Sequence, residues 1–213
     1  MKKFKNYSIK EIFLTLQGEG YNTGKTAVFC RFSGCNLWNG KEKDRKNALC
    51  SFCDTDFKGT NGINGGQYKL DKLVSKINSL WPKNKRNKFI VFTGGEPLLQ
   101  LDNELIKNIK VKGFKVAIET NGTLPVPNLI DWICVSPKIK SKLVVKKGDE
   151  IKVIYPQHGI NLSKFEKYNF KHFYLQPLDN KSFILNKKKT IAYILENPRW
   201  KLSVQTHKYL KIK

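Results

Sequence analysis

The sequence predicts an α/β fold in which a largely parallel sheet is wrapped by helices. Short apolar runs rich in Val, Ile and Phe alternate with longer amphipathic segments, and this strand-then-helix alternation favours parallel strands. The two-residue periodicity inside the apolar runs is blurred, as expected for strands buried on both faces. The 213 residues contain no linker, internal repeat or low-complexity tract, so we expect one domain over residues 1–213.

Seven strands and four helices are predicted. The strands are expected at residues 27–32, 89–93, 115–120, 132–136, 151–155, 173–176 and 202–205. The helices are expected at residues 70–81, 103–112, 163–168 and 187–197. An irregular stretch at about residues 34–68 directly follows the first of these strands and contains most of the cysteines. Long loops are usually functional, and α/β folds bind ligands at the carboxyl ends of strands, so this stretch is the predicted site.

The composition is strongly basic. Lys and Arg number 40 against 17 Asp and Glu, which gives a formal charge of +23. Such a charge is compatible with a nucleic-acid partner, but the lysines are scattered and we treat the charge as weak evidence of function. No apolar run approaches the roughly 20 residues of a membrane span, and no apolar signal core follows the basic first residues. A cytoplasmic location is therefore expected.

The five cysteines indicate metal or cluster chemistry, since their number is odd and no signal peptide is visible. Cys35, Cys50 and Cys53 are separated by 14 and then by two residues. Three thiolates can each bind one iron of a cubane cluster and leave the fourth iron open. Structural zinc normally has four ligands, and Cys30 is the available fourth, although its alternation with apolar residues predicts a core position. Cys134 reads as buried core. The spacing alone leaves cluster and zinc open.

A second motif, Phe-Thr-Gly-Gly-Glu-Pro at residues 92–97, follows a predicted strand and opens a helix. The two glycines allow backbone N–H groups to approach a ligand closely, and the carboxylate of Glu96 suits an ammonium group. A Gly-Gly pair alone supports no more than an ordinary strand-to-helix turn. Combined with the cysteine triad, the motif is much more specific.

These motifs resemble the radical S-adenosylmethionine (SAM) superfamily and, within it, the 7-carboxy-7-deazaguanine synthase family. The superfamily at large spaces its cysteines by three and two residues, and the 14-residue gap is similar to a branch with an expanded cluster loop. The resemblance covers nearly the whole chain. It rests on eight blocks in order: FLTLQGEG (13–20), FCRFSGCNLW (29–38), CSFCDTD (50–56), TGGEP (93–97), ETNG (119–122), SPK (136–138), QPLD (176–179) and QTHK (205–208).

The resemblance implies an incomplete (β/α) barrel of the radical SAM type, with mostly parallel strands. It implies a lyase that converts 6-carboxy-5,6,7,8-tetrahydropterin to 7-carboxy-7-deazaguanine with loss of ammonia, in queuosine or 7-deazapurine biosynthesis. The implied cofactors are a [4Fe–4S] cluster, SAM and Mg²⁺. The implied partners are the pterin, an external one-electron reductant of the flavodoxin or ferredoxin type and a second copy of the chain in a homodimer. No membrane and no direct nucleic-acid contact are expected.

The resemblance also assigns roles to individual residues. Cys35, Cys50 and Cys53 are expected to bind the cluster and Thr55 to be the protein ligand of Mg²⁺, an ion that keeps several waters. The expected SAM contacts are Phe52, Cys53, Asp54, Gly95, Ser136, Pro137, Lys138, Gln176, Pro177, Leu178 and Asp179. The expected pterin contacts are Leu16, Gln17, Gly18, Arg31, Thr93, His207 and Lys213. Three further residues are expected to line the cavity without an assigned role, namely Glu96, Glu119 and Asn121.

Two details of the pterin contacts depend on chemistry. Arg31 suits bidentate binding of the substrate carboxylate. Lys213 is expected to act through its main-chain carboxylate, so the identity of its side chain should matter little. No side chain is expected to be catalytic in its own right, because the radical comes from the cofactor.

Two alternatives remain at this stage. A radical enzyme that activates a glycyl-radical partner shares the cluster and the Gly-Gly-Glu-Pro motif, but it gives Arg31, Thr55 and His207 no clear purpose. A basic, zinc-stabilised RNA-binding module accounts for the charge of +23, but it leaves the Gly-Gly-Glu-Pro motif unexplained.

Overall fold

Nine strands form one sheet in the computed structural model of the protein, which describes residues 6–213. The sheet order is β3-β1-β2-β4-β5-β6-β7-β8-β9. The strands are β1 (Tyr7–Leu16), β2 (Thr26–Phe32), β3 (Gly66–Tyr68), β4 (Phe89–Gly94), β5 (Lys115–Thr120), β6 (Trp132–Val135), β7 (Lys147–Tyr155), β8 (Asn169–Pro177) and β9 (Trp200–Leu202).

The sheet is mostly parallel and does not close. Strands β2 and β4 to β9 run parallel to one another. Strand β1 pairs antiparallel with both β2 and β3. The two edges are β3 and β9, which do not pair with each other. The predicted fold class, a mostly parallel and incomplete barrel, is therefore confirmed.

Five α-helices and two short 3-10 helices (Glu42–Asn47 and Pro97–Leu99) lie within residues 6–213, and none is long and apolar enough to cross a membrane. Helix α1 packs Leu73, Val74 and Ile77 against the sheet, at the i, i+1 and i+4 spacing that places apolar side chains on one helix face. The helices are α1 (Leu70–Leu80), α2 (Asn103–Val111), α3 (Leu162–Glu166), α4 (Phe183–Glu196) and α5 (Thr206–Leu210).

The main core lies between the sheet and the helices. One cluster packs α1 and α2 against the first strands, and another packs α3 and α4 against the last strands. Adjacent strand residues point to opposite faces. Thus Ile12 belongs to the first cluster, while its neighbour Phe13 belongs to a small cluster on the other face with Phe29. Both of these phenylalanines line the cavity described below.

The seven predicted strands correspond to the seven parallel strands of the structure. However, β7 and β8 each begin four residues earlier than predicted, and β9 shares only Leu202 with the strand predicted at 202–205. The four predicted helices are also present, although α4 begins at Phe183 rather than at residue 187. Strands β1 and β3 and helix α5 were not predicted.

The loop between β1 and β2 links the first strands to the last ones. The N–H of Gly20 donates to the hydroxyl of Ser203 over 2.9 Å. The N–H of Thr206 donates to the carbonyl of Gly18 over 2.9 Å. Loop contacts therefore bridge one side of the open barrel where no strand pairing exists.

Candidate active site

A cavity of about 530 Å³ lies among the strand ends and the following loops. It is lined by residues from both halves of the chain, including β1, the 34–68 loop, the ends of β4 to β8 and helix α5. All the site residues predicted from the sequence line this cavity except Glu96 and Pro137. One space therefore brings together residues that are up to about 200 positions apart.

The three predicted cluster ligands, Cys35, Cys50 and Cys53, are free thiols in this cavity. A hydrogen bond from Cys50 lowers the pKa of Cys53 to about 6, which favours the thiolate that binds metals. Cys30 is fully buried in the core between sheet and helices, as predicted. Cys134 is also buried, but it touches the cavity.

The arrangement of these thiols suits a cubane. Within residues 6–213, no group of three or more His, Cys, Asp or Glu side chains is placed to hold one metal ion. A [4Fe–4S] cluster does not need such convergence, because each thiolate binds its own iron. Three thiols that line one cavity thus match in number a cluster with an open fourth iron.

The Gly-Gly pair permits a close approach between β4 and the cysteine loop. A Cβ atom on Gly95 would lie 2.1 Å from the carbonyl oxygen of Gly34 and 2.8 Å from the Cβ of Cys35. The N–H of Gly95 donates to Phe32, and the N–H of Glu96 donates to Gly34. We expected these N–H groups to approach a ligand. In the structure they bind the end of β2 and the start of the cysteine loop, and so hold Cys35 beside the Gly-Gly turn.

Glu96 lies behind the cavity wall, where its side chain is fully buried. Its carboxylate accepts hydrogen bonds from the Thr120 hydroxyl and the Asn121 N–H, each over 2.8 Å, and from the Leu98 N–H over 3.0 Å. Burial raises the pKa of this carboxyl. Glu96 is therefore engaged by protein groups rather than presented to a ligand, and it supports Asn121, which does line the cavity. This placement corrects the expectation for Glu96.

A buried lysine that the sequence analysis did not single out lies in the cavity wall. Lys152 of β7 is 4% exposed. Its ammonium lies 2.5 Å from a carboxylate oxygen of Glu19 and 3.7 Å from one of Glu119. Although burial opposes the charged form, the two carboxylates raise the pKa of Lys152. Burial likewise opposes ionisation of Glu19, but the charge of Lys152 lowers its pKa to about 2.

The carboxylate of Glu119 is oriented by two predicted pterin contacts. The amide of Gln17 donates to one of its oxygens over 3.0 Å, and the hydroxyl of Thr93 donates to the other over 3.2 Å. All three side chains line the cavity. The Glu119 side chain is therefore held in one orientation at this wall.

Arg31 lies in β2 and lines the same cavity. Its Nε donates to Glu11 over 3.0 Å, and the second oxygen of Glu11 lies 2.6 Å from the ammonium of Lys213. In the described part of the chain, Arg31 makes no other side-chain hydrogen bond, so both Nη atoms remain available to a ligand. The hydroxyl of Thr15 donates to the main-chain oxygen of Lys213. Lys213 therefore contacts β1 through both its side chain and its main-chain oxygen, and the expectation that its side-chain identity matters little stays a prediction.

Helix α5 covers part of the cavity. A Cβ atom on Gly18 would lie 2.2 Å from Nδ1 of His207, so the imidazole packs directly on this glycine. Lys208 bridges Asp54 over 2.9 Å and Asp179 over 2.7 Å. One lysine thereby joins the cysteine loop, the segment after β8 and helix α5.

Comparison with known proteins agrees with this geometry. The radical SAM superfamily model matches residues 46–135. A 7-carboxy-7-deazaguanine synthase of Burkholderia multivorans is 56% identical over 97% of this chain and 99% of that protein. One from Bordetella pertussis is 51% identical over the same shares. The crystal structure of QueE from Escherichia coli superposes with a TM-score of 0.66 at 26% identity, covering 94% of each chain. The chain belongs to the 7-carboxy-7-deazaguanine synthase family.

Membership of the 7-carboxy-7-deazaguanine synthase family implies a radical SAM enzyme with a [4Fe–4S] cluster and SAM. The superfamily match begins at residue 46 and so contains Cys50, Cys53 and the Gly-Gly-Glu-Pro motif but not Cys35. The structure nevertheless brings Cys35 into the same cavity. Neither the glycyl-radical activator nor the zinc-stabilised RNA-binding module is favoured by these similarities.

Proposed function

We propose that this protein is a radical SAM lyase that converts 6-carboxy-5,6,7,8-tetrahydropterin to 7-carboxy-7-deazaguanine with loss of ammonia. Its product would enter queuosine or another 7-deazapurine. One observation carries the proposal: three cysteine thiols and an arginine with free Nη atoms share a cavity of about 530 Å³. A cofactor bound to a cluster needs the three thiols, and a carboxylate substrate needs the arginine.

Cys35, Cys50 and Cys53 would hold the cluster. With one electron from an external reductant, the cluster would cleave the sulfonium C–S bond of bound SAM, and this cleavage would provide the radical for hydrogen abstraction from the substrate. The SAM contacts proposed are the cavity residues that follow strands β4, β6 and β8, together with the residues that flank Cys53. They comprise Phe52, Asp54, Gly95, Ser136, Lys138, Gln176, Pro177, Leu178 and Asp179, and Pro137 supports this group from outside the cavity.

The pterin would be held by groups of complementary charge. Arg31 would bind the substrate carboxylate through its two Nη atoms. Glu119, oriented by Gln17 and Thr93, would accept hydrogen bonds from N–H groups of the pterin ring. The ammonium of Lys152 lies 3.7 Å from that carboxylate. The remaining proposed pterin contacts are Leu16, Gly18, His207 and Lys213.

Mg²⁺ binding is part of the same proposal, with Thr55 as its protein ligand. Thr55 lines the cavity, and its hydroxyl makes no hydrogen bond to any other described residue. Magnesium typically takes few protein ligands and fills its shell with water and substrate oxygens. One hydroxyl beside a carboxylate substrate is therefore a sufficient protein contribution.

We further propose a homodimer, a reductant of the flavodoxin or ferredoxin type and a cytoplasmic location. The homodimer is supported by apolar side chains left exposed on α4, which include Ile184 at 69% and Leu195 at 78%. Strand β9, which packs beside α4, is an unpaired edge of the sheet. Unpaired edges and exposed apolar surface are features that a partner subunit covers.

The decisive experiment is an anaerobic assay of the reconstituted protein with the tetrahydropterin carboxylate, SAM, Mg²⁺ and a chemical reductant. Formation of 7-carboxy-7-deazaguanine without any protein partner is expected. Cys35→Ala should lose bound iron and product formation, whereas Cys30→Ala, which alters a core thiol, should keep both. Consumption of SAM only in the presence of a second protein would refute the proposal and favour the glycyl-radical activator.

A further inference from the structure

The segment between Cys35 and Cys50, residues 36–49, forms a closed loop with its own small core. The N–H of Leu49 donates to the carbonyl of Leu37 over 3.1 Å and closes the base of the loop. Trp38 is 7% exposed and packs edge-on against Phe57, with ring centroids 5.5 Å apart. The insertion that lengthens the cysteine spacing is thus a packed loop with its own internal contacts.

Arg45 is the residue of this loop that reaches the cysteine ligands. One terminal nitrogen donates to the carbonyls of Ser51 and Cys53, each over 3.0 Å. The remaining guanidinium nitrogens bind both oxygens of Glu42, over 2.7 Å and 2.6 Å. The guanidinium carbon lies 4.0 Å from the centre of the Trp38 ring. Few side chains can satisfy this set, because it needs a planar group with several fixed donors.

The carbonyls of Ser51 and Cys53 depend on this contact. Among residues 6–213, the only hydrogen bond that either carbonyl accepts comes from Arg45. The turn from Cys50 to Cys53 belongs to no helix or strand, so no ladder of backbone bonds fixes it. A pair of Arg45 and Glu42 alone would be an exposed ion pair that contributes little. The contacts to the turn give Arg45 a different purpose.

We propose that Arg45 is a positioning residue that holds the Cys50–Cys53 turn in its cluster-binding conformation and places a fixed positive charge beside the cluster. This inference rests on the proposed role of Cys35, Cys50 and Cys53. A cation beside the cluster favours its reduced form, because reduction adds negative charge. Arg45 thereby links the inserted loop to both the geometry and the reduction potential of the site.

The test compares Arg45→Met and Arg45→Lys with Arg199→Met. Arg199 is a matched control, since its guanidinium also stacks on a ring, 4.2 Å from Phe173, in a different part of the fold. Hydrogen exchange is measured on the cluster-free chain. In Arg45→Met, the amides of Ala48 and Leu49, which donate hydrogen bonds inside the loop, should exchange about tenfold faster, which corresponds to about 1.4 kcal/mol of lost local stability. Exchange in β5 should not change.

The second measurement uses the reconstituted protein, with iron release to a ferrous chelator and the cluster midpoint potential as readouts. Arg45→Met should release iron faster and have a more negative potential. Arg45→Lys keeps the charge but not the planar fork, so its potential should lie nearer that of the wild type while exchange of Ala48 and Leu49 stays fast.

Two outcomes overturn the inference. One is that Arg45→Met equals Arg199→Met in both exchange and iron release. The other is that exchange rises equally in β5, which means general destabilisation. If the wild-type chain binds no cluster, the proposed function fails, but exchange of the cluster-free chain still decides whether Arg45 holds the turn.

Discussion

Lys152 is a buried cation that lies between the carboxylates of Glu19 and Glu119 in the cavity wall. Breaking a buried ion pair by removing one partner typically costs about 3–5 kcal/mol, since the other charge is left buried and uncompensated. We expect Lys152→Met to lower the unfolding free energy by an amount in that range. Because Lys152 also faces Glu119, the surviving folded protein should bind the pterin more weakly. Thermal unfolding and the KM for the pterin measure the two effects.

Lys171 offers a matched control on the neighbouring strand. It pairs with Asp149 over 2.7 Å, but its side chain is 70% exposed. Exposed pairs contribute about 0.2–1 kcal/mol. Lys171→Met should therefore lower the unfolding free energy by at most about 1 kcal/mol and leave the KM for the pterin unaltered. Equal losses in the two variants would contradict the role assigned to Lys152.

Glu19 gives this network a pH signature. Its pKa falls from an ordinary 4.5 in the unfolded chain to about 2 in the folded protein. The folded state therefore binds the Glu19 proton less readily, and the stabilisation is present above pH 4.5 and lost as the pH falls towards 2. The difference corresponds to about 3 kcal/mol. Urea unfolding between pH 5 and pH 2 should show a correspondingly flatter pH dependence for Glu19→Gln than for the wild type. Parallel curves for the two proteins would refute this linkage.

The site residues that were predicted from the sequence differ in one physical respect from those that were not. Cys35, Cys50 and Cys53 lie close together in the sequence, and their residue type alone indicates metal or cluster chemistry. Lys152 acquires its role only when β7 meets the loop that carries Glu19, more than 130 positions away. A signal was available, because Glu150 and Lys152 alternate with fully buried Ile151 and Val153. That alternation indicates a strand with one polar face turned towards a cavity.

At the scale of elements, the strand-to-helix turn after β4 is fitted to the cysteine loop by Gly95. A Cβ atom there would lie 2.1 Å from the carbonyl oxygen of Gly34, so Gly95→Ala must push the loop away. Overpacking of this kind costs about 1–3 kcal/mol, and the displaced Cys35 should lower the iron content after reconstitution. Iron analysis and thermal unfolding check both parts of the prediction.

Gly113 separates loop displacement from backbone strain. It has a φ of +84° and nothing within 4 Å of an added Cβ, so Gly113→Ala suffers only the left-handed backbone penalty of about 1–2 kcal/mol. This variant should lose stability but keep its iron. Equal iron retention in Gly95→Ala would show that the turn does not position Cys35.

Strand β1 shows why an element can escape prediction. Its sequence, Tyr7–Leu16, places Lys10 and Glu11 between apolar residues, and this breaks the pattern of a buried strand. In the structure both charged residues line the cavity, where Lys10 binds Asp56 over 2.7 Å and Glu11 binds Arg31. The departures from strand periodicity are therefore part of the site. Strand β3, with three residues, is too short to leave any pattern.

At the scale of the whole molecule, the open sheet leaves two unlike edges. The edge at β3 lies beside the paired hairpin of β1 and β2, whereas the edge at β9 adjoins the exposed apolar side chains of α4. Near β9, the open side is bridged by contacts within the same chain, such as the ion pairs of Lys208 with Asp54 and Asp179. Leu195 on the apolar surface of α4 is instead left 78% exposed. We therefore assign this face to the proposed homodimer.

The assignment predicts that a charge on α4 dissociates the dimer. Leu195→Glu places an uncompensated carboxylate in an apolar interface, and even a loss of about 3 kcal/mol weakens association more than a hundredfold. Val111 of α2 is a matched control because it is apolar and 82% exposed on another helix. Val111→Glu should leave the mass measured by light scattering unchanged. Dissociation by both variants or by neither would place the subunit contact elsewhere, since only a surface that includes Leu195 responds to one substitution and not to the other.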